Sequence, residues 1–162
     1  VALELRENMA EGIRSNHPDI QVWVGDCQEK IPAPNHEFDR IIASHVLEHL
    51  PNLPSAIKEI YRICHKKNGV FSVVIPCEGG FGYSIGRKVS VQRIFEKRYQ
   101  QPYKWFIERE HVNIPQEILE EILPYFKLES REFFPLKFFP YTWCNISIGM
   151  NFRPKQHFEL ES

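Results

Sequence analysis

Two histidines, His45 and His49, stand four residues apart in the run Ser44, His45, Val46, Leu47, Glu48, His49, Leu50, Pro51. On a helix that spacing puts two imidazoles on one face, as a metal site needs. In this run Glu48 precedes the second histidine instead of following the first, and Leu50 and Pro51 come next. A turn at the end of a strand accounts for the pattern better, and no metal is expected. His111 follows Glu108, Arg109 and Glu110. Imidazole titrates near neutrality, so His111 is a candidate catalytic base toward a hydroxyl acceptor. The plainer alternative is a surface histidine beside two acids. Gly79, Gly80, Gly82 and Gly86 lack the spacing of a phosphate-cradling loop and read as a flexible entry into the basic segment after them.

In that segment, Arg87, Lys88, Arg93, Lys97, Arg98 and Lys104 face only Glu96 between residues 85 and 105, interleaved with Phe95, Tyr99, Tyr103, Trp105 and Phe106. A lid over an anionic or sugar-phosphate acceptor is one reading. A solvated helix whose aromatics pack inward is the other. Further on, Phe133, Phe134, Phe138, Phe139, Tyr141 and Trp143 place six aromatics within eleven residues. Core packing is the default for them, and a dimer face or an apolar acceptor wall is the alternative.

The elements that must position these groups are predicted by periodicity. Apolar residues in short runs predict strands over 1–5, 20–24, 38–46 and 70–75. The run Ile41, Ile42, Ala43 predicts a strand buried on both faces. Helical spacing predicts helices over 6–16, 54–67 and 116–123, the second closed by Asn68 and Gly69. Two strands over 127–137 and 145–152 predict an antiparallel hairpin. Strands alternating with helices predict an α/β fold: a Rossmann-like, mostly parallel sheet, helices on both faces, with that hairpin at the C-terminus.

The 162 residues make one domain, with residues 77–113 as an insertion or lid within it. Lys plus Arg number 20 against 21 Asp plus Glu, a net charge of −1, so no global field points to nucleic acid or to a membrane surface. No apolar run is long enough for a transmembrane helix. Cys27, Cys64, Cys77 and Cys144 form no Cys-x-x-Cys pair, which fits reduced thiols in a cytoplasmic protein.

Phe38, Asp39 and the run Ser44 to Pro51 resemble the fourth motif of class I S-adenosylmethionine (SAM) dependent methyltransferases, in their small-molecule branch. The residues downstream also fit: Glu59, Ile60, Tyr61, Arg62 and Ile63 on a helix, then Asn68, Gly69, Val70 and Phe71 leading into a strand. The resemblance implies SAM as cofactor. It puts Glu4 at the end of the family's second strand, where a carboxylate can accept hydrogen bonds from both ribose hydroxyls. Asp26 would accept the adenine amino proton, and Cys27 would offer its backbone N–H to an adenine ring nitrogen. Ala43, Ser44 and His45 would border the methionine and methyl end, with His45 and His111 as catalytic candidates.

The family's first strand and glycine-rich loop are not found in the sequence, so the chain is expected to begin after them, N-terminally truncated. The missing strand would lie between the strands at 1–5 and 38–46, and a homodimer through the exposed edge is one way to cover the gap. The implied reaction is methyl transfer to an O or N atom of a small-molecule or glycan acceptor, of anionic character if the basic segment meets it. A non-catalytic methyltransferase-like interaction module that has lost SAM binding is one rival, and a nicotinamide oxidoreductase on a related sheet is another. The second gives no reason for the Ser44 to Pro51 run.

Overall fold

The computed structural model describes residues 1–77, 91–103, 112–139 and 141–156. In it, β1 (Ala2–Glu4) leads into α1 (Glu7–Asn16) and returns as β2 (Val22–Val24). The two strands pair in parallel, Leu3 opposite Trp23 and Glu4 opposite Val24. Pro18 lies just past α1, where it stops the helix two residues after Asn16. A loop then runs to β3 (Arg40–Ser44), a short 3₁₀ turn (Leu47–His49), α2 (Leu53–Ile63) and β4 (Val70–Pro76). β3 and β4 are again parallel, Ser44 opposite Val74.

After α3 (Val91–Tyr99) and α4 (Pro115–Ile122), the chain forms β5 (Phe126–Phe134) and β6 (Ser147–Pro154). These are antiparallel to each other, and β6 inserts between β4 and β5, giving the order β3-β4-β6-β5. Parallel α/β units ending in such a hairpin are the Rossmann-like architecture that periodicity predicts.

The core lies under this second sheet. β4 is buried on both faces, and β6 alternates, sending Ile148, Met150 and Phe152 inward. Phe71 is fully buried, with its ring 5.3 Å from Phe126 and 6.3 Å from Phe152. Leu53, Ala56, Ile57 and Ile60 of α2 and Ile118 and Ile122 of α4 close the same cluster. A smaller cluster of Ile31, Ala33 and Ile63 takes Leu3 of β1, Trp23 of β2, Ile41 of β3 and Phe38, just before β3, against it, so it joins the two sheets.

Three expectations need correction. Helical spacing carries α2 to Lys67, but the helix ends at Ile63 because Cys64 turns extended and bridges to Phe38, while His65 N donates to Phe38 O at 2.9 Å. Pairing with the sheet takes the backbone groups that another helical turn would need. Gly69 then closes the turn: a Cβ there would collide with the His65 carbonyl. The second correction is β3, where Ile42 is 66% exposed. β3 has β4 on one side and no strand on the other among the described residues, so half of its cover is missing. The third is the aromatic run of the hairpin: Phe133 is buried, but Phe134, Phe138, Phe139, Tyr141 and Trp143 are exposed.

Candidate functional site

Parallel strands end their carboxyl termini at one edge, where ligands of open α/β sheets bind. Glu4 is the last residue of β1, and Gly25 N donates to Glu4 O at 3.0 Å, extending the ladder so that Asp26 follows at the same edge. Glu4 Oε1 accepts from the Arg6 backbone N at 2.9 Å, which fixes the carboxylate at the entrance of α1. Its Oε2 accepts nothing among the described residues. A half-buried carboxylate with one oxygen held and one open is a fitting acceptor for a sugar diol.

Asp26 is held differently. Its Oδ1 accepts from the Gln28 backbone N at 2.8 Å, and both oxygens accept from Gln28 Nε2, at 3.0 and 2.9 Å. The other end of the same side chain, Gln28 Oε1, accepts from Asn52 N at 2.7 Å. Asn52 caps α2, taking Ser55 N on its Oδ1. One glutamine therefore ties the loop after β2 to the loop after β3. Cys27, between the two acids' loop and the core, is half-buried; burial first, then the charge of Asp26, pushes its thiol pKa up. Its side chain is thus a neutral wall, and only its backbone is suited to a polar role.

The loop carrying Asp26 is also clamped from α2. Glu59 accepts from Ile31 N at 2.7 Å, and Arg62 donates to Glu59 Oε2 at 2.8 Å, to Ala33 O at 2.8 Å and to Ile31 O at 3.0 Å. The hydrogen bond from Arg62 is the main reason the Glu59 pKa is lowered.

β3 brings up the third group. Ala43 is buried in the core, and Ser44 is exposed at the strand end. His45 follows with φ of 52°, a left-handed backbone that a non-glycine residue adopts at a cost of ~1–3 kcal/mol. Its N–H donates to Val74 O at 2.9 Å, holding the strained turn to β4. The half-exposed ring points Nδ1 at Glu48 Oε1, 3.3 Å away. Glu48 is only 2% exposed, and its Oε2 has no partner among the described residues. A buried carboxylate on Nδ1 fixes the imidazole and turns Nε2 outward, the arrangement of a positioned base.

The 3₁₀ turn carrying Glu48 is braced from far along the chain. Val112 N and Asn113 N donate to Glu48 O at 2.9 and 3.1 Å, and Asn113 Nδ2 donates to Leu47 O and Leu50 O at 2.8 and 2.7 Å. The end of the 77–113 segment is therefore stitched directly under His45. His111 lies outside the described residues.

Glu4, Asp26, Cys27, Ala43, Ser44 and His45 all fall at strand ends or within a few residues of them. Gln28, Glu48 and Asn113 complete the edge, and sequence reasoning misses all three as site residues. Only Glu48 carries a signal there, as an acid set between Leu47 and His49 in the strand-end run. A cleft of about 550 Å³ shares Gln28 with this edge and is otherwise lined by Lys30, Lys58, Glu59, Arg62, Lys66 and Tyr125 among others; neither Glu4 nor Asp26 lines it. No group of three metal-ligating side chains exists among the described residues.

Residues 1–73 match the model of a family described as a methyltransferase domain. Among solved structures, a SAM-dependent methyltransferase of Thermotoga maritima is similar at 17% identity and a TM-score of 0.66, over 94% of this chain and 72% of that one. The N-methyltransferase NodS of Bradyrhizobium japonicum, in complex with S-adenosyl-L-homocysteine (SAH), is similar at 11% identity and a TM-score of 0.60, over 95% of this chain and 65% of that one. A [4+2]-cyclase, SpnF, is similar at 12% identity and a TM-score of 0.57, over 93% and 65%. At these identities the likeness carries the fold alone. Among curated proteins, none matches the sequence.

The fold is thus that of Rossmann-like SAM-dependent methyltransferases, and the part of the chain that carries the strand-end motif, residues 1–73, is the part that matches the methyltransferase-domain family.

Proposed function

We propose that the protein transfers the methyl group of SAM to an O or N atom of a small-molecule or glycan acceptor. The observation that carries this reading is the pair of acids, Glu4 and Asp26, at successive parallel strand ends, together with His45 on the buried Glu48 at the end of β3. The donor set suits the cofactor: two carboxylates, acceptor-only when ionised, toward a diol and an amino group. Bound SAM supplies a methyl group already activated on a positively charged sulfur. Glu4 would hold the ribose, Asp26 and the Cys27 backbone would hold the adenine, and Ala43, Ser44 and His45 would border the methionine end.

His45 Nε2 would accept the proton of the acceptor's O–H or N–H. Glu48 keeps Nδ1 protonated and steadies the imidazolium. Alignment of acceptor, methyl and sulfur supplies much of the rate, so one positioned base is sufficient. His111 is a second candidate for the proton, from the end of the 77–113 insertion. That insertion acts as a lid and governs acceptor choice. Deleting it is expected to abolish turnover while leaving SAM binding within severalfold; a deletion as active as the parent on the native acceptor would contradict this.

The [4+2]-cyclase among the structural neighbours illustrates that one fold serves several chemistries. The experiment that tests the reading is therefore methyl transfer itself. Purified protein, SAM labelled in the methyl group and pooled small-molecule extracts should yield a labelled product and SAH in equal amounts. SAH binding without any labelled product across acceptor pools would favour the non-catalytic module.

A further inference from the structure

A single 3₁₀ turn such as Leu47–His49 holds its shape poorly by itself. Within it His49 N donates to Val46 O at 3.0 Å, and Leu50 N reaches Leu47 O only at 3.4 Å. Leu47 and Glu48 are buried, so their carbonyls need donors that bulk water does not supply. Two adjacent residues far along the chain supply them. Val112 N and Asn113 N donate to Glu48 O at 2.9 and 3.1 Å. The Asn113 side chain spends the two hydrogens of Nδ2 on Leu47 O and Leu50 O, at 2.8 and 2.7 Å. The residue type suits the task. Asparagine offers two N–H donors on a short uncharged stem, whereas ionised aspartate offers none and serine one.

What this turn carries is the Glu48 carboxylate, with Oε1 3.3 Å from His45 Nδ1. His45 is anchored in two places that depend on different parts of the fold. Its backbone, in the left-handed region at φ 52°, hangs on β4 through the bond from His45 N to Val74 O. Its half-exposed ring has Glu48 as its only hydrogen-bond partner among the described residues. The sheet therefore fixes where His45 stands. The turn fixes which way the imidazole faces and which of its nitrogens bears the proton.

We propose that Asn113 is a positioning residue for His45, holding Glu48 so that the neutral imidazole keeps its proton on Nδ1 and leaves Nε2 free to accept one. A neutral imidazole has one donor and one acceptor nitrogen, and the bond made by the first sets the role of the second. A carboxylate held by a braced turn accepts from Nδ1. A carboxylate that drifts with a loosened turn does not, and a half-exposed ring then returns to the mixture of tautomers that water allows. Asn113 acts through Leu47, Glu48 and Leu50 and not on the reacting atoms. That the tautomer matters to turnover rests on the methyl-transfer reading; the tautomer itself does not.

The test is ¹⁵N NMR of the histidine side chains at a pH about two units above the ordinary imidazole pKa of ~6.5, where the rings are neutral. The His45 signals are assigned by their loss in His45→Gln. In the wild type the His45 proton should sit on Nδ1. Asn113→Ala and Asn113→Asp, each of which removes both side-chain donors, should move it toward Nε2. Arg62→Ala, which loosens a different part of the fold, should not. On an identified acceptor Asn113→Ala should lower kcat roughly ten- to a hundredfold, the scale of a misplaced catalytic group, with SAH affinity within severalfold. A wild-type proton on Nε2 overturns the proposal, and that result needs no variant to fold. So does an unchanged His45 signal in either Asn113 variant, or an equal change in Arg62→Ala, because Asn113 then serves stability alone. Absence of SAH binding in a wild type whose His45 tautomer still depends on Asn113 would strike the methyl-transfer reading and leave the positioning role standing.

Discussion

Glu4 and Asp26 differ in how much of their carboxylate is already spoken for. Asp26 has both oxygens engaged by Gln28, whereas Glu4 gives only Oε1 to Arg6 N. Glu4 thus has the freer acceptor, and Glu4→Ala is expected to weaken SAH binding by ~1.5–3 kcal/mol, the range for hydrogen bonds to a charged group. Calorimetry checks this, and unchanged affinity would remove Glu4 from the site. In the proposed reaction His45 acts on rate rather than on cofactor affinity. His45→Ala should lower kcat by ~10²–10⁴-fold, the usual contribution of a positioned base, with SAH affinity within severalfold. Steady-state kinetics on the identified acceptor reads the split, and Glu48→Gln should fall between wild type and His45→Ala. The strand-end residues are legible in sequence because their places follow from strand order and from the motif after β3. Gln28, Glu48 and Asn113 are not, because their roles come from contacts that no periodicity encodes. Asn113 braces Leu47 across 66 residues of chain.

α2 does more than cover the sheet. Its buried face is plain from the spacing of Ile57 and Ile60, but its polar face reads as solvated charge, and two of those charges clamp the loop after β2. Arg62→Ala would strand Glu59 and the carbonyls of Ile31 and Ala33, and is expected to destabilise the fold by ~1–3 kcal/mol. Thermal unfolding reads this, and limited proteolysis should cut first within 25–37. The same clamp is acid-sensitive. The folded pKa of Glu59 is lowered, so its stabilisation is present above the unfolded value of ~4.3 and is lost as pH falls through the folded one. Glu59→Gln should flatten that part of the stability profile. The early end of α2 at Ile63 is hidden from sequence for a related reason. Cys64 continues the helical spacing, yet its backbone is drawn to Phe38, a long-range partner.

At the scale of the whole molecule, β1 and β3 each carry an open edge among the described residues. Leu5 and Ile42 are exposed beside those edges, at 65% and 66%. Unpaired strand edges with apolar flanks recruit other strands. A strand lodged between them would bury about four or five apolar side chains at ~1.5–3 kcal/mol each, an amount comparable to the stability of a domain. Residues 1–162 expressed by themselves are therefore expected to self-associate or to melt without a cooperative transition; a monomeric, cooperative unfolder in analytical ultracentrifugation and calorimetry would contradict this. The central claim is that the edge defined by Glu4, Asp26 and His45 holds SAM for methyl transfer. Its most direct test is calorimetric titration of SAH into the purified protein, alongside Glu4→Ala. One binding site that weakens in the variant is the predicted result, and the absence of any saturable binding would contradict the account.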